Sequence, residues 1–264
     1  MKKFNKVIGI FSIVLSILIV SCIYPKKWNI NTLKPAIEEM LIITTVGEVA
    51  YDIPNGGQTE IPTISINIEA AAIPLKDNYI LALTHCTELP KELPTFFFMV
   101  PVKVIKPAEF SIIVGGESVA LKLIGRFEDI SLFKSPVDIK PYPVEFSSTF
   151  DYEPGTEVLS IGFSFALVKN IKDGVISNLN PNDVIEYTEY TFMHSIPTNS
   201  GDSGTPILVQ DIFGDYKIIG IIQSGFHGVE GIGFALRSDY IVKVIELIKF
   251  IYGFRSTGIV YMGD

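Results

Sequence analysis

Ser203 stands between two glycines in Gly201-Asp202-Ser203-Gly204-Thr205-Pro206, just ahead of the apolar run Ile207-Leu208-Val209. A serine so placed can offer its hydroxyl to a substrate carbonyl as a nucleophile. Glycine on both sides removes Cβ atoms that would crowd the approach and accepts backbone angles that other residues resist. It also lets the amides of Gly201 and Ser203 point at one spot, where a developing oxyanion would sit. The competing reading is a tight polar turn between two strands. A serine hydroxyl is a poor nucleophile until a base takes its proton, and the base works best when a carboxylate orients it. The chain has three histidines. His85 ends the apolar run Tyr79-Ile80-Leu81-Ala82-Leu83-Thr84, and Asp129 opens the alternating run Ile130-Ser131-Leu132-Phe133-Lys134. His194 and His227 compete for the base, and Glu128 for the acid. His194 does not end a strand of this kind, and His227 reads as loop. Adjacent strand side chains point to opposite faces, so only one of Glu128 and Asp129 can face the histidine.

Taken in order, His85, Asp129 and Ser203 sit in segments that resemble the trypsin-like serine proteases of the chymotrypsin fold. Leu83-Thr84-His85-Cys86 approximates the A-A-H-C of that family, Asp129 to Lys134 matches its D-[IL]-A-[LV]-[LF]-K, and Gly201 to Pro206 matches its G-[DN]-S-G-x-P. Three further segments resemble the compact bacterial branch near the high-temperature-requirement proteases. They are Glu157-Val158-Leu159-Ser160-Ile161-Gly162-Phe163, Gly174-Val175-Ile176-Ser177 and Gly231-Ile232-Gly233-Phe234-Ala235-Leu236. The likeness runs from about residue 38 to 250 in the family's order, leaving no room for the peptide-binding PDZ domain common in that branch. It selects Asp129 over Glu128 and implies a Ser203–His85–Asp129 triad, an oxyanion hole of the Gly201 and Ser203 amides, and peptide hydrolysis through an acyl-enzyme. The alternative is a protease fold that binds without turnover. Thr205, where the family usually has glycine, keeps that alternative open.

The resemblance also implies a pocket for the residue before the cut, built from Pro197 and Thr198, from Gln223, Ser224 and Gly225, and from Gly233. No Asp or Glu is among them, so Lys or Arg is not expected there. The two glycines leave the walls open for a small to medium apolar side chain. Thr198 stands where some glutamate-specific bacterial members carry threonine, but their partner histidine position holds Ile222 here, and glutamate is not expected either. In many trypsin-like proteases the aspartate before the serine pairs with an α-amino group freed by cleavage. Asp202 is expected instead to have an internal partner, with Arg126, Arg237, backbone amides or the Thr198 hydroxyl as candidates. A zymogen cut between Tyr24 and Glu48 is the rival.

The elements that must position these residues read as strands. The chain has 264 residues, 48% hydrophobic and 19% charged, enough for one large core or two small ones. Short alternating runs such as Thr63-Ile64-Ser65-Ile66-Asn67-Ile68 and Ser118-Val119-Ala120-Leu121-Lys122-Leu123 are separated by turn clusters such as Pro54-Asn55-Gly56-Gly57. Many short strands so spaced predict an all-β sandwich or barrel. The resemblance narrows this to two six-stranded antiparallel β-barrels with the triad in the cleft between them. A first barrel is expected over 38–135 with His85 and Asp129, a proline-rich linker over 136–146, and a second barrel with Ser203 over 147–252. The second includes a C-terminal helix at Tyr240 to Phe250, and 253–264 is a tail. The net charge of −8 carries no basic stripe, so no nucleic-acid partner is expected. No His/Cys/carboxylate group has ligand spacing, so neither metal nor organic cofactor is expected.

Residues 1–22 set the address. Three lysines fall in the first six residues, no charge occurs from 7 to 25, and the apolar stretch meets Ile19-Val20-Ser21-Cys22. This is the layout of a bacterial secretory signal, and Cys22 directly after a small residue looks like a lipobox cysteine that takes a lipid. An uncleaved anchor helix is the alternative, since a span of this length just crosses a bilayer. Residues 23–37 would then be a tether, holding the catalytic part to a membrane of the bacterial envelope, outside the cytoplasm. A lipidated Cys22 cannot pair, so Cys86 is expected to be a buried free thiol.

Overall fold

The computed structural model describes residues 28, 30–51, 63–94, 99–164, 169–181, 189–225 and 231–256. The lipobox segment with Cys22, the turn at Pro54 to Gly57, His227 and the tail lie outside the described residues. The chain divides into a small unit, residues 1–34, and a main unit, residues 35–264. Of the first, residue 28 and the opening of helix α1 (Ile30–Glu39) are described. The main unit holds two β-sheets and a second helix.

The first sheet contains β1 (Leu41–Tyr51), β2 (Thr63–Pro74), β3 (Tyr79–Leu83), β4 (Glu92–Pro94), β5 (Met99–Val114), β6 (Glu117–Ala120), β7 (Lys122–Phe127) and β8 (Ile130–Lys134). Its strand order is β4-β5-β1-β2-β3-β8-β7, with β6 on β5. The alternation read from Thr63 to Ile68 is present as exposed and half-buried residues in turn, while Ala70 to Pro74 are buried outright. This sheet curls into a half-barrel. β6 pairs with β5, the chain bends at Leu121, whose amide donates to the Phe110 carbonyl at 2.8 Å, and it continues as β7 against β8. One bent segment thus links the two ends of the sheet in place of a continuous ladder. Register shifts in the β1–β5 and β7–β8 pairings add to the curl, as bulges do.

The second sheet contains β9 (Glu145–Phe146), β10 (Glu157–Gly162), β11 (Asn170–Asn178), β12 (Thr191–His194), β13 (Pro206–Gln210), β14 (Tyr216–Gly225) and β15 (Gly233–Arg237). Pairing runs β13-β10-β11-β12-β15-β14 and returns from β14 to β13, closing a six-stranded barrel, with β9 added parallel to β14. Val158, Ile176, Phe192, Ile207, Ile219 and Ile222 are among the residues that fill it. A closed ring has no edge strands along it to pair with other chains. Helix α2 (Ser238–Ser256) follows β15 and extends further at both ends than the sequence pattern suggests. Its far end seats on the first sheet, because a Cβ on Gly125 of β7 would lie 2.2 Å from the Tyr252 ring.

Candidate active site

His85 does not end a strand. β3 stops at Leu83, and residues Thr84–Cys86 make a short 3₁₀ turn that carries the histidine out of the sheet. Asp129 sits in the turn before β8, the strand that pairs with β3. Glu128 beside it holds a left-handed φ of 47°, and its carboxylate accepts from the Tyr240 hydroxyl. The turn, rather than strand alternation, is therefore what separates the two acids. A buried hydroxyl cluster supports the histidine turn: Thr84 Oγ1 and Thr87 Oγ1 lie 3.0 and 3.1 Å from Ser131 Oγ. Arg126 donates to Ser131 Oγ at 3.2 Å and to the Thr87 carbonyl at 2.7 Å.

The Asp129 carboxylate is heavily used. Its two oxygens lie 2.8 and 2.9 Å from His85 Nδ1, the His85 amide donates to Oδ1 at 3.0 Å, and Gln223 Nε2 donates to Oδ2 at 2.9 Å. Burial would raise the carboxyl's pKa, but the bonds and charge of His85 and the Gln223 amide hold it below the usual carboxylate range. Burial likewise works against the imidazolium, yet the Asp129 carboxylate and, to a lesser degree, Cys86 raise His85 to about 10. The imidazole is 46% exposed at the side chain, which leaves its far side open to the cleft. Cys86 is buried with an unbridged thiol.

Ser203 lies in the loop between β12 and β13. Its hydroxyl donates to the Gln223 carbonyl at 3.1 Å, and among the described residues no hydrogen bond joins it to His85. Gly201 and Gly204 take φ of 91° and 89°, which glycine accepts and other residues resist. A Cβ on Gly204 would lie 2.2 Å from the Ala71 carbonyl oxygen, so this loop closes directly on the first sheet. The amides of Asn199, Asp202, Gly204 and Thr205 are all used within the protein. Among the described residues those of Gly201 and Ser203 donate to no protein acceptor. They are the pair that an oxyanion hole requires.

Asp202 is buried, and neither arginine candidate reaches it. Arg126 serves the hydroxyl cluster, and Arg237 donates to the Leu179 carbonyl and Asn180 Oδ1. The partner is Lys172, whose Nζ lies 2.5 Å from Asp202 Oδ2. The Asn199 amide at 2.7 Å and the Ser164 hydroxyl at 3.0 Å complete the set. Sequence reasoning missed Lys172. Its signal was a reversed polarity on β11, where Ile171 is 37% exposed and the neighbouring lysine turns inward.

The expected pocket residues are only partly gathered into a pocket. Thr198 leans over Gly225, and Gly225 pairs with Gly233 across β14 and β15. Pro197 is exposed, and Ser224 lies on β14 between the others. Gln223 departs from its expected place as a pocket wall: its side chain goes to Asp129 and its carbonyl to Ser203. The register shift between Ile222 and Ser224 is the reason, because a bulge breaks the alternation that would have aimed it elsewhere.

No protein-family profile matches the sequence, and comparison with curated proteins finds no match. Solved structures do. A serine-to-alanine variant of the HtrA-type protease AlgW, with a decapeptide, superposes with a TM-score of 0.64 at 18% identity, covering 83% of this chain and 65% of that one. AlgW with a decapeptide gives 0.59 at 20%, covering 83% and 66%. The serine endoprotease from Yersinia pestis gives 0.56 at 18%, covering 85% and 67%. This chain thus spans less than two thirds of the length of the first of them. Its closed barrel, curled half-barrel and C-terminal helix are the chymotrypsin-like fold that these HtrA-type proteases share.

Proposed function

We propose that this chain is a serine endopeptidase. One observation carries the reading: Gln223 donates its side-chain amide to Asp129 and accepts the Ser203 hydroxyl on its carbonyl. A single residue thus ties the His85–Asp129 pair of one sheet to the serine loop of the other. In the proposed reaction, Ser203 Oγ attacks the scissile carbonyl while His85 Nε2 takes its proton. Asp129 holds Nδ1 and stabilises the imidazolium. The Gly201 and Ser203 amides receive the oxyanion, and His85 returns the proton to the leaving amine. Water then repeats the sequence on the acyl-enzyme. Productive attack requires the Ser203 hydroxyl to turn from the Gln223 carbonyl to His85, an exchange of one hydrogen bond for another that costs about 1 kcal/mol or less. Catalytic hydrogen bonds are often loose before substrate binds. The test is labelling by a fluorophosphonate probe, which should mark the wild type and not Ser203→Ala.

That same resting hydroxyl favours a second reading, a protease-fold binding module without turnover. An unlabelled but folded wild type that still binds peptide would establish it. The substrate class, protein or peptide, fits neighbours whose structures hold a tripeptide or decapeptide. Tethering outside the cytoplasm through a lipid on Cys22 is part of the proposal and rests on residues 1–22 alone. Among the described residues no helix is long and apolar enough to cross a membrane.

A further inference from the structure

The acid of the proposed triad is carried by a turn that glycine would make more easily. β7 and β8 pair Phe127 with Ile130, so Glu128 and Asp129 are the whole of a two-residue hairpin loop. Glu128 takes a left-handed φ of 47°, and Asp129 does not. These are the φ signs of a type II′ turn, whose first central residue is normally glycine. For a side chain as long as glutamate that φ is strained, and such strain persists only where the surroundings impose it.

Tyr240 is the contact that imposes it. Its hydroxyl donates to the Glu128 carboxylate across 112 residues of sequence. Tyr240 is buried in the first turn of α2, and its ring stacks on Tyr190 with centroids 4.1 Å apart and planes 13° from parallel. The Tyr190 carbonyl accepts the Arg237 amide at 2.9 Å, and the Ser238 amide donates to Thr149 Oγ1 at 3.1 Å. The start of α2 is thus fixed to the barrel side of the molecule. Burial and the Glu128 carboxylate both raise the phenol's pKa, so the hydroxyl stays a donor. The titratable groups facing it are Glu128, Tyr190 and Asp129, and those facing His85 are Asp129 and Cys86.

On its other side the turn grips the histidine segment. The Asp129 carbonyl accepts the Thr84 amide at 2.9 Å, and Oδ1 accepts the His85 amide at 3.0 Å. A shift of the turn is therefore passed to His85 as well as to its carboxylate partner. We propose that Tyr240 is a positioning residue, whose hydroxyl holds Glu128 and so fixes the turn that presents Asp129 to His85. The assignment rests on the peptidase reading. Glu128 is the acid the triad leaves unused, and here it is the handle by which the barrel that carries Ser203 holds the acid turn of the other sheet. Gln223 differs in touching Asp129 directly.

The experiment follows the rate at which a fluorophosphonate probe labels the full chain across pH. Tyr240→Phe keeps the stacked ring and removes only the hydroxyl. It should label more slowly than wild type, on the order of tenfold, and less severely than Asp129→Asn. Its pH limb should also move down, because a looser Asp129 raises His85 less. Glu128→Gln keeps an acceptor for the hydroxyl and should label near the wild-type rate with the limb in place. Glu128→Gly suits the backbone but removes the handle, and it should behave as Tyr240→Phe does. Combining Glu128→Gly with Tyr240→Phe should add nothing further, as expected of residues acting through one contact. Tyr240→Phe that labels at the wild-type rate overturns the inference, and so does slower labelling with the limb unmoved, which would make the residue merely structural. Should Tyr240→Phe fail to fold, a wild-type rate in Glu128→Gly overturns it equally. Absence of labelling in wild type is a different outcome: the peptidase reading fails, and this inference with it.

Discussion

Lys172 on β11 and Asp202 beside the candidate nucleophile form a buried ion pair 2.5 Å apart, with side chains 13% and 2% exposed. The carboxylate also holds the Asn199 amide, so it fixes the loop whose Gly201 and Ser203 amides, among the described residues, donate to no protein acceptor. Removing one partner of such a pair strands a buried charge, which costs about 3–5 kcal/mol. Lys172→Met should therefore lower the melting temperature and abolish fluorophosphonate labelling at temperatures where the protein is still folded. Adding Asp202→Asn should restore much of the stability. Because the cation is internal, the full chain should label while uncut, as checked by mass. Labelling only after proteolysis ahead of Glu48 would sink this account and establish a zymogen.

The triad should behave as one unit. Ser203→Ala and His85→Ala are each expected to cut turnover by about 10⁶-fold, and Asp129→Asn by somewhat less, about 10⁴-fold. His194→Ala should leave the probe-labelling rate nearly unchanged, since the ring touches none of the reacting groups. If it silences labelling as fully as His85→Ala does, the base has been misassigned.

The pH profile follows from the shifts of the pair. His85 is raised from 6.5 to about 10, so the folded state favours the imidazolium. Its contribution to stability is fully present below pH 6.5 and is lost as pH rises through about 10. The base needs the neutral ring, so kcat/KM should climb with pH along a limb centred above 6.5. Asp129→Asn removes the largest cause of the increase and leaves burial, which lowers the pKa, against the remaining contribution of Cys86. The residual activity of that variant should therefore switch on at lower pH than wild type. A limb that stays in place would show that Asp129 does not set the titration.

Much of this was legible in the sequence, and the failures share one cause. The nucleophile loop and the all-β pattern come from local residue types and spacing, while the choice of Asp129 to stand beside His85 came from the family resemblance. Lys172 was not readable, because it lies 30 residues from Asp202 in the sequence and only the fold brings β11 beside the loop before β13. Gln223 was misplaced because one bulge in β14 breaks the alternation that sequence reading assumes. The curl of the first sheet turns on a bend at Leu121, inside a run whose pattern reads as one straight strand. In each case a long-range register, or a break in it, decided where a side chain points.

Gln223 offers a finer test as a positioning residue. Its amide makes a hydrogen bond to the charged Asp129, and among the described residues its own Oε1 is buried without a partner. A bond to a charged group is worth about 1.5–3 kcal/mol. Gln223→Leu should reduce kcat on the order of tenfold or more with little change in KM. It should also raise the Asp129 pKa, because one of the groups that lower it is gone. Asp129 supports folding above its unfolded value of 3.8 and loses that support as pH falls through its folded value. The acid limb of a stability–pH curve should therefore move up in Gln223→Leu. A kcat loss without that movement would make the residue merely structural.

The N-terminal reading makes a separate prediction. Three lysines, an uncharged stretch and Cys22 after Ser21 have the form of a lipoprotein signal. A single acyl chain binds membranes only marginally, so stable anchoring needs more than one. The mature chain is expected to begin at Cys22 carrying more than one acyl group and to partition into the detergent phase. Cys22→Ala should accumulate a precursor that migrates more slowly, because the signal is no longer removed. Mass spectrometry of the native protein decides the matter. A mature form that retains Met1 to Ser21 would replace the lipid with an uncleaved anchor helix, and an unmodified chain in the aqueous phase would remove the tether altogether.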